Sequence, residues 1–261
     1  MTLLRLLWIN LRVGAMNELE YRAHFFVQIV QSVVGLLFAL GGLAVVFAHT
    51  DTLAGWRPSE LIALLGVYFL VGGMIRTVVQ PSMSRLMEDV RQGTLDFTLT
   101  KPEDAQVLVT VKQVQIWKLF DVGLGLALVA VALARLGTEV GALQVLAFGP
   151  ALLAGAAMVY SFWLMLATLT FWFVRLENIL VIFMAMWEAG RWPVGIYPPW
   201  LRYTLTFVVP VAFATTVPAE ALAGRLTAET LAAAVGLAAL LLAVSRWFWR
   251  FGVRHYSGAS A

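Results

Sequence analysis

A chain of 261 residues that is 61% hydrophobic and only 13% charged, with a mean hydropathy of +0.85, carries more apolar surface than a soluble core of that size can hide. The predicted class is therefore an all-α integral membrane protein, because helices satisfy their backbone internally where lipid cannot. The net charge of +3, from 18 basic and 15 acidic residues, contains no long basic run and points to membrane orientation, not to nucleic acid; zero cysteines exclude disulfides and thiolate chemistry.

Along the chain, segment 1–22 sets Leu3, Leu4, Leu7, Trp8 and Leu11 on one helical face with Arg5 and Arg12 at its flank, which predicts an N-terminal interfacial helix. A cleaved signal peptide fits less well, since Arg5, Asn10 and Arg12 interrupt the apolar run and no small-residue cleavage site follows. Membrane spans are predicted at 25–47, 61–79 and 117–134, the last with Lys118 and Asp121 at its inner end, and a fourth at 150–174. A fifth apolar stretch, 179–190, meets a break at Pro193, Pro198 and Pro199. Segment 203–217 is predicted to dip into the outer leaflet and return, 231–248 is the last span, and 249–261 reads as a frayed tail.

Six spans and one re-entrant element make a single transmembrane domain over 1–261 with both termini on the inner side. That orientation gives the inner segments twelve of the 18 basic residues: Arg5, Arg12, Arg22, Arg85, Arg91, Lys101, Lys112, Lys118, Arg175, Arg246, Arg250 and Arg254. Only Arg57, Arg135, Arg191, Arg202 and Arg225 fall outside, and Arg76 lies within a span.

Enzyme chemistry finds little footing. No lysine is followed by Ser or Thr, so the phosphate-cradling G-x-x-x-x-G-K-[ST] loop is absent. Neither a G-x-S-x-G elbow nor an H-E-x-x-H pair occurs, and His24, His49 and His255 are too far apart in sequence to form a local metal site. The chain is predicted not to be an enzyme by itself and to bind no cofactor.

The longest polar stretch, 81–104, is the most informative. Ser82 suits a helix N-cap, Met83, Leu86, Met87 and Val90 repeat at helical spacing, and Gly93 suits a left-handed C-terminal position. The opposite face carries Arg85, Glu88, Asp89 and Gln92. A helix this short needs its apolar face covered, by lipid headgroups, by the span bundle or by a cytoplasmic protein.

The run from Asp89 to Phe97, continuing through Lys101-Pro102-Glu103-Asp104, resembles the G-[ST]-L-[DE]-x-x-L-x-[KR]-P loop of bacterial permeases of the ATP-binding-cassette type 2 exporter class. Trp187 to Pro193, Ile196-Tyr197-Pro198 and the proline-bearing stretch 209–218 extend the resemblance over nearly the whole chain. It implies a permease subunit of the bacterial inner (cytoplasmic) membrane, paired with a second copy or a similar permease. Two separately encoded ATPase subunits would hold ATP and Mg²⁺. It also implies that 1–22 and the helix after the second span touch those ATPases, through Met83, Arg85, Leu86, Met87, Glu88, Val90, Gly93, Lys101 and Pro102.

Within the spans, Arg76 is expected to reach headgroups or pair with Asp121, with substrate contact the alternative. Glu188 and Arg191 are spaced to pair at the outer end of the fifth span, where they could gate the outer mouth. Gln28 and Gln31 are expected to face protein, and Gly72 and Gly73 to allow close helix approach. With spans lined mainly by Leu, Val, Phe and Met, the expected substrate is amphipathic or lipid-like. The rival reading is an ATP-independent secondary carrier or scaffold. Secondary carriers bury ionisable residues near the midplane, and none is expected there.

Overall fold

Apolar runs that must satisfy every backbone group internally fold here as helices, and the described residues contain no β-strand beyond the isolated bridge Leu53–Trp56. The computed structural model describes residues 22–137, 141–173 and 177–256, with backbone only at 22–24 and 177–179. The interfacial helix expected at 1–22 therefore lies outside the described residues, except that Arg22 opens the first span.

In chain order the helices are α1 (Arg22–Phe47), α2 (Pro58–Met74), α3 (Gln80–Arg91), α4 (Asp96–Leu99), α5 (Ala105–Thr110) and α6 (Leu119–Leu136). They continue as α7 (Ala142–Thr168), α8 (Glu177–Glu188), α9 (Pro199–Tyr203), α10 (Val211–Ala214), α11 (Thr216–Leu222) and α12 (Ala228–His255). Among the described residues five helices are long and apolar enough to cross a membrane, or six if one bent pair is a single crossing. The upper end of the bundle is taken as the one where α2, α7 and α12 begin.

Three elements differ from the sequence reading. The second span and the helix of the 81–104 loop are one continuous rod, Pro58–Arg91, joined by a π-helical turn at Ile75–Val79. Ser82 is accordingly no N-cap: its hydroxyl donates to the Gln113 carbonyl at 2.8 Å and accepts from the Gln113 N–H at 3.2 Å. Pro81 has no N–H to give the Thr77 carbonyl, and the Gln115 N–H donates to that oxygen at 2.8 Å instead. The helix survives its proline because a returning strand of chain supplies the missing donor.

The fifth span is as short as the predicted stretch 179–190, and what differs is its reach. Among the described residues α8 covers 12 and ends at Glu188, roughly 18 Å of rise and about half of a hydrocarbon core. The upper half is filled by Pro199–Val208 and Val211–Leu222, bent by 68° at Val209 and Pro210. This bent pair occupies the region predicted as re-entrant. The last helix, finally, does not fray at 249 but runs to His255, with Thr227 accepting from the Thr230 N–H at one end and Arg254 and His255 in the turn facing the negative end of its dipole.

α2 is the hub. Its most apolar stretch is 72% buried, whereas that of α1 is 6% buried and leaves Phe26, Leu37 and Phe38 exposed. Glycines set the closeness of the α2–α6 contact: a Cβ on Gly66 would stand 2.8 Å from the Val129 nitrogen, and one on Gly73 2.7 Å from that of Val122. The expected close approach at Gly73 is thus to α6, while a Cβ on Gly72 would stand 3.0 Å from Trp187 Nε1. At the upper end, buried Glu60 accepts from the Arg57 N–H at 2.7 Å and from Arg225 at 2.6 Å, fastening α2 to the loop before α12.

Candidate functional site

At the lower end, α3, α4, α5 and the segment returning to α6 form a platform. Met83 and Leu86 are fully buried and Met87 nearly so, packed into the core that includes Trp163 and Leu164 of α7. The apolar face expected to meet a partner is therefore already covered by this chain, and only Val90 stays half-buried. What α3 offers outward is its polar face: Arg85 is exposed, and Glu88 accepts from Arg91 and Gln92. Gly93 takes a φ of +68° at the helix end, letting the Thr94 N–H donate to the Asp89 carbonyl at 2.8 Å. Lys101 and Pro102 are exposed nearby. Phe97, which the sequence did not single out, is 75% exposed on α4 and is the large apolar side chain the platform presents.

The platform is held by one buried carboxylate. Asp89 is paired with Lys112 and, at 3.0 Å, with Arg85 Nε, and it accepts from the Thr94 hydroxyl at 3.2 Å. Lys112 also donates to Thr98 at 3.3 Å. These contacts gather α3, α4 and the chain after α5 around one point, as charge pairs do when their remaining lone pairs are also satisfied. Nearby, Asp104 caps α5 and grips Arg246 of α12, the Nη1 to Oδ1 distance being 2.9 Å.

Above the platform lies a cleft of about 150 Å³ lined by Gln31, Ser32 and Gly35 of α1, Tyr68, Phe69 and Arg76 of the α2 rod, Lys118, Asp121 and Arg191. Arg76 pairs with Asp121 at 3.2 Å, the cross-helix pair expected from the sequence, while Lys118 donates to Gln28 of α1 at 2.6 Å. Glu188 and Arg191 do form their ion pair, at 2.5 Å, but not at the outer mouth. Tyr68 donates to Glu188 at 3.0 Å, Arg191 lies over the Tyr68 ring at 5.2 Å, and Trp187 stacks on that ring. Tyr68 stands about 15 Å of helix below Pro58, so the cluster sits near mid-depth. The reason is the shortness of α8, with Val211 and Thr215 packed over Gly190 above it.

This placement corrects the expectation of a midplane free of ionisable groups, and with it the charge argument against a secondary carrier. Arg76 Nε, Asp121 Oδ1, Trp187 Nε1 and Arg191 Nε are buried without a hydrogen-bond partner. Each such group costs about 1–3 kcal/mol while it stays without a partner, and the four are concentrated around one cleft. The sequence showed the 188/191 spacing but had no signal for Tyr68; the 12-residue α8 was the available clue to depth.

No curated protein and no solved structure matches the chain. A family model described as ABC-2 family transporter protein matches residues 33–260, from within α1 past the end of α12. Apolar rods, a polar cleft among them and the loop motif beneath agree with that match: the chain is an integral membrane transporter component and belongs to the ABC-2 transporter family.

Proposed function

We propose that the chain is the membrane-spanning subunit of an ATP-driven exporter, working as a homodimer or beside a similar permease, with ATP and Mg²⁺ held by separate ATPase subunits. Its lower end faces the cytoplasm, because Arg85, Arg91, Lys101, Lys112, Lys118, Arg246, Arg250 and Arg254 gather there. In bacteria that makes it a protein of the inner membrane. The cleft forms part of the pathway for an amphipathic or lipid-like substrate, the polar head meeting Arg76 and Arg191 while the tail lies along the exposed apolar face of α1.

One observation carries this reading: a single helical rod, Pro58–Arg91, bears Tyr68 and Arg76 in the cleft and Asp89 in the platform. Movement imposed on the platform by ATPase closure reaches the cleft without a flexible joint. The contact itself is carried by the exposed residues Arg85, Phe97 and Lys101 together with half-buried Glu88; buried Met83, Leu86 and Met87 support it from beneath.

The test is the permease co-expressed with its ATPase, reconstituted in liposomes and compared with the Phe97→Asp chain. Loss of ATPase capture and of cargo-stimulated ATP hydrolysis, with unchanged thermal stability, is the expected result. Unchanged capture and hydrolysis would remove the platform from the coupling role, and uphill transport by the permease alone on an ion gradient would favour a secondary carrier.

A further inference from the structure

A second cavity, of about 290 Å³, lies at the lower end of α12 between that helix and the start of α5, lined by Asp104, Ala105, Arg246, Trp249, Arg250, Val253 and Arg254. Its arginines are spaced i, i+4 and i+8, so they stand one above another on a single face. Arg246 is already engaged by Asp104 and, at 2.7 Å, by Gln106. Arg250 and Arg254 are exposed and pair with no carboxylate among the described residues. A cationic stack with one acidic wall and two unengaged guanidinium groups is complementary to an anion of phosphate size.

Depth and surroundings identify where that anion comes from. Counting the helical rise from Ala228 puts Arg246 about 27 Å and Arg254 about 39 Å along α12. A hydrocarbon layer of ~30 Å therefore ends between them, and the cavity opens at headgroup level. Trp247 and Phe251 are exposed on the same stretch, and Trp172 stacks on Phe248 and Phe251, as aromatic side chains do at a lipid boundary. We propose that this cavity is a phosphate site that holds the headgroup of an anionic phospholipid from the leaflet at the lower end, with Arg250 and Arg254 as its principal ligands. The site is separate from the cleft around Arg76 and does not depend on the substrate proposed there.

The experiment measures lipid retention by the purified full chain, using native mass spectrometry with phosphatidylglycerol, phosphatidylcholine or inorganic phosphate as the probe. Wild type retains phosphatidylglycerol over phosphatidylcholine. The R250Q/R254Q chain retains phosphatidylglycerol about thirty-fold less well, roughly five-fold per arginine, and its phosphatidylcholine binding is unmoved. Failure of millimolar phosphate to displace the lipid assigns the occupant to the bilayer; displacement keeps the phosphate site and assigns its occupant to solution. Equal retention of the two lipids, or of phosphatidylglycerol by wild type and variant, overturns the proposal. So does loss of ATPase capture by the variant with lipid retention intact, which would make the arginines a protein-docking surface. Since the variant's fold is a separate question, a photoactivatable phosphatidylglycerol applied to wild type gives an independent reading: it labels the 246–254 segment, and labelling confined elsewhere overturns the site.

Discussion

Replacing Asp121 with Asn tests whether the cleft's charge pair is an electrostatic unit. Arg76 and Asp121 are 3.2 Å apart with side chains only 17% and 4% exposed. Neutralising the carboxylate leaves a mostly buried guanidinium whose nearest charged neighbours around the cleft include Lys118 and Arg191, both repulsive. The expected cost is about 3–5 kcal/mol, that of an uncompensated buried charge. Removing both charges in an R76L/D121L chain abolishes the repulsion and the desolvation together and is expected to return stability to within about 1 kcal/mol of wild type. The cycle of R76L, D121L and the double variant, followed by reversible denaturant unfolding in micelles, then yields a coupling energy near the sum of the two single losses. Strict additivity would refute the argument, because it would mean water screens the pair and the cleft is open solvent. Transport supplies the second axis: a stable R76L/D121L chain that no longer shows cargo-stimulated ATP hydrolysis assigns the pair to the pathway, and one that transports normally makes it structural.

Two further outcomes follow from local geometry. Gly125→Ala would set a Cβ 2.8 Å from the Gly66 carbonyl oxygen and 2.7 Å from Leu70 Cα, where carbon contacts normally lie near 3.5–4.0 Å; α6 must retreat from α2 at a cost of about 1–3 kcal/mol, while Gly123→Ala, with nothing within 4 Å, leaves thermal stability no lower and raises it by up to about 1 kcal/mol through helix propensity. The hydrogen bonds from Arg246 hold the Asp104 carboxyl down at about 2, below its value of ~3.9 in an unfolded chain, so its stabilisation is fully present above about pH 4 and fades as pH falls through the folded value; the difference in melting temperature between wild type and Asp104→Asn should be flat from pH 7 to about 4 and shrink toward pH 2.

The spans were legible because lipid admits few solutions: runs of Leu, Val and Phe with few charges announce helices whatever they pack against. Depth and continuity were less legible. Pro81 reads as a helix boundary in any local rule, and only a distant residue, Gln115, whose N–H serves the Thr77 carbonyl, lets the rod pass through it. The spacing of Met83, Leu86 and Met87 showed that one face must be covered but not by what, since periodicity is blind to the difference between α7 of the same chain and a partner protein. Arg76 could be matched with Asp121 because both stood at lower ends of predicted spans. Tyr68, by contrast, sits in an unbroken apolar stretch, and its partners Glu188 and Arg191 seemed to lie at the membrane surface until α8 proved too short to reach it.

Continuity of the α2–α3 rod matters energetically as well as geometrically. Roughly 20 Å of helix separates Arg76 from Asp89, and a straight helix transmits a tilt at one end to the other far better than a loop does. A ligand or an ATPase can shift the balance between two arrangements only through contacts that differ between them. In the proposed function the charged side chains lining the cleft would supply such contacts at one end and the exposed face of the platform at the other. Between them lies the π-helical turn Ile75–Val79, which carries Arg76 itself and is braced from outside the rod by the Gln115 N–H. A π-turn places one extra residue in a helical turn, so returning to regular α-geometry rotates everything below it by about 100° relative to everything above. At this junction of cleft and platform the Gln115 N–H stands in for the donor that Pro81 lacks and holds the turn in place, so a tilt of the platform is carried through it to the cleft.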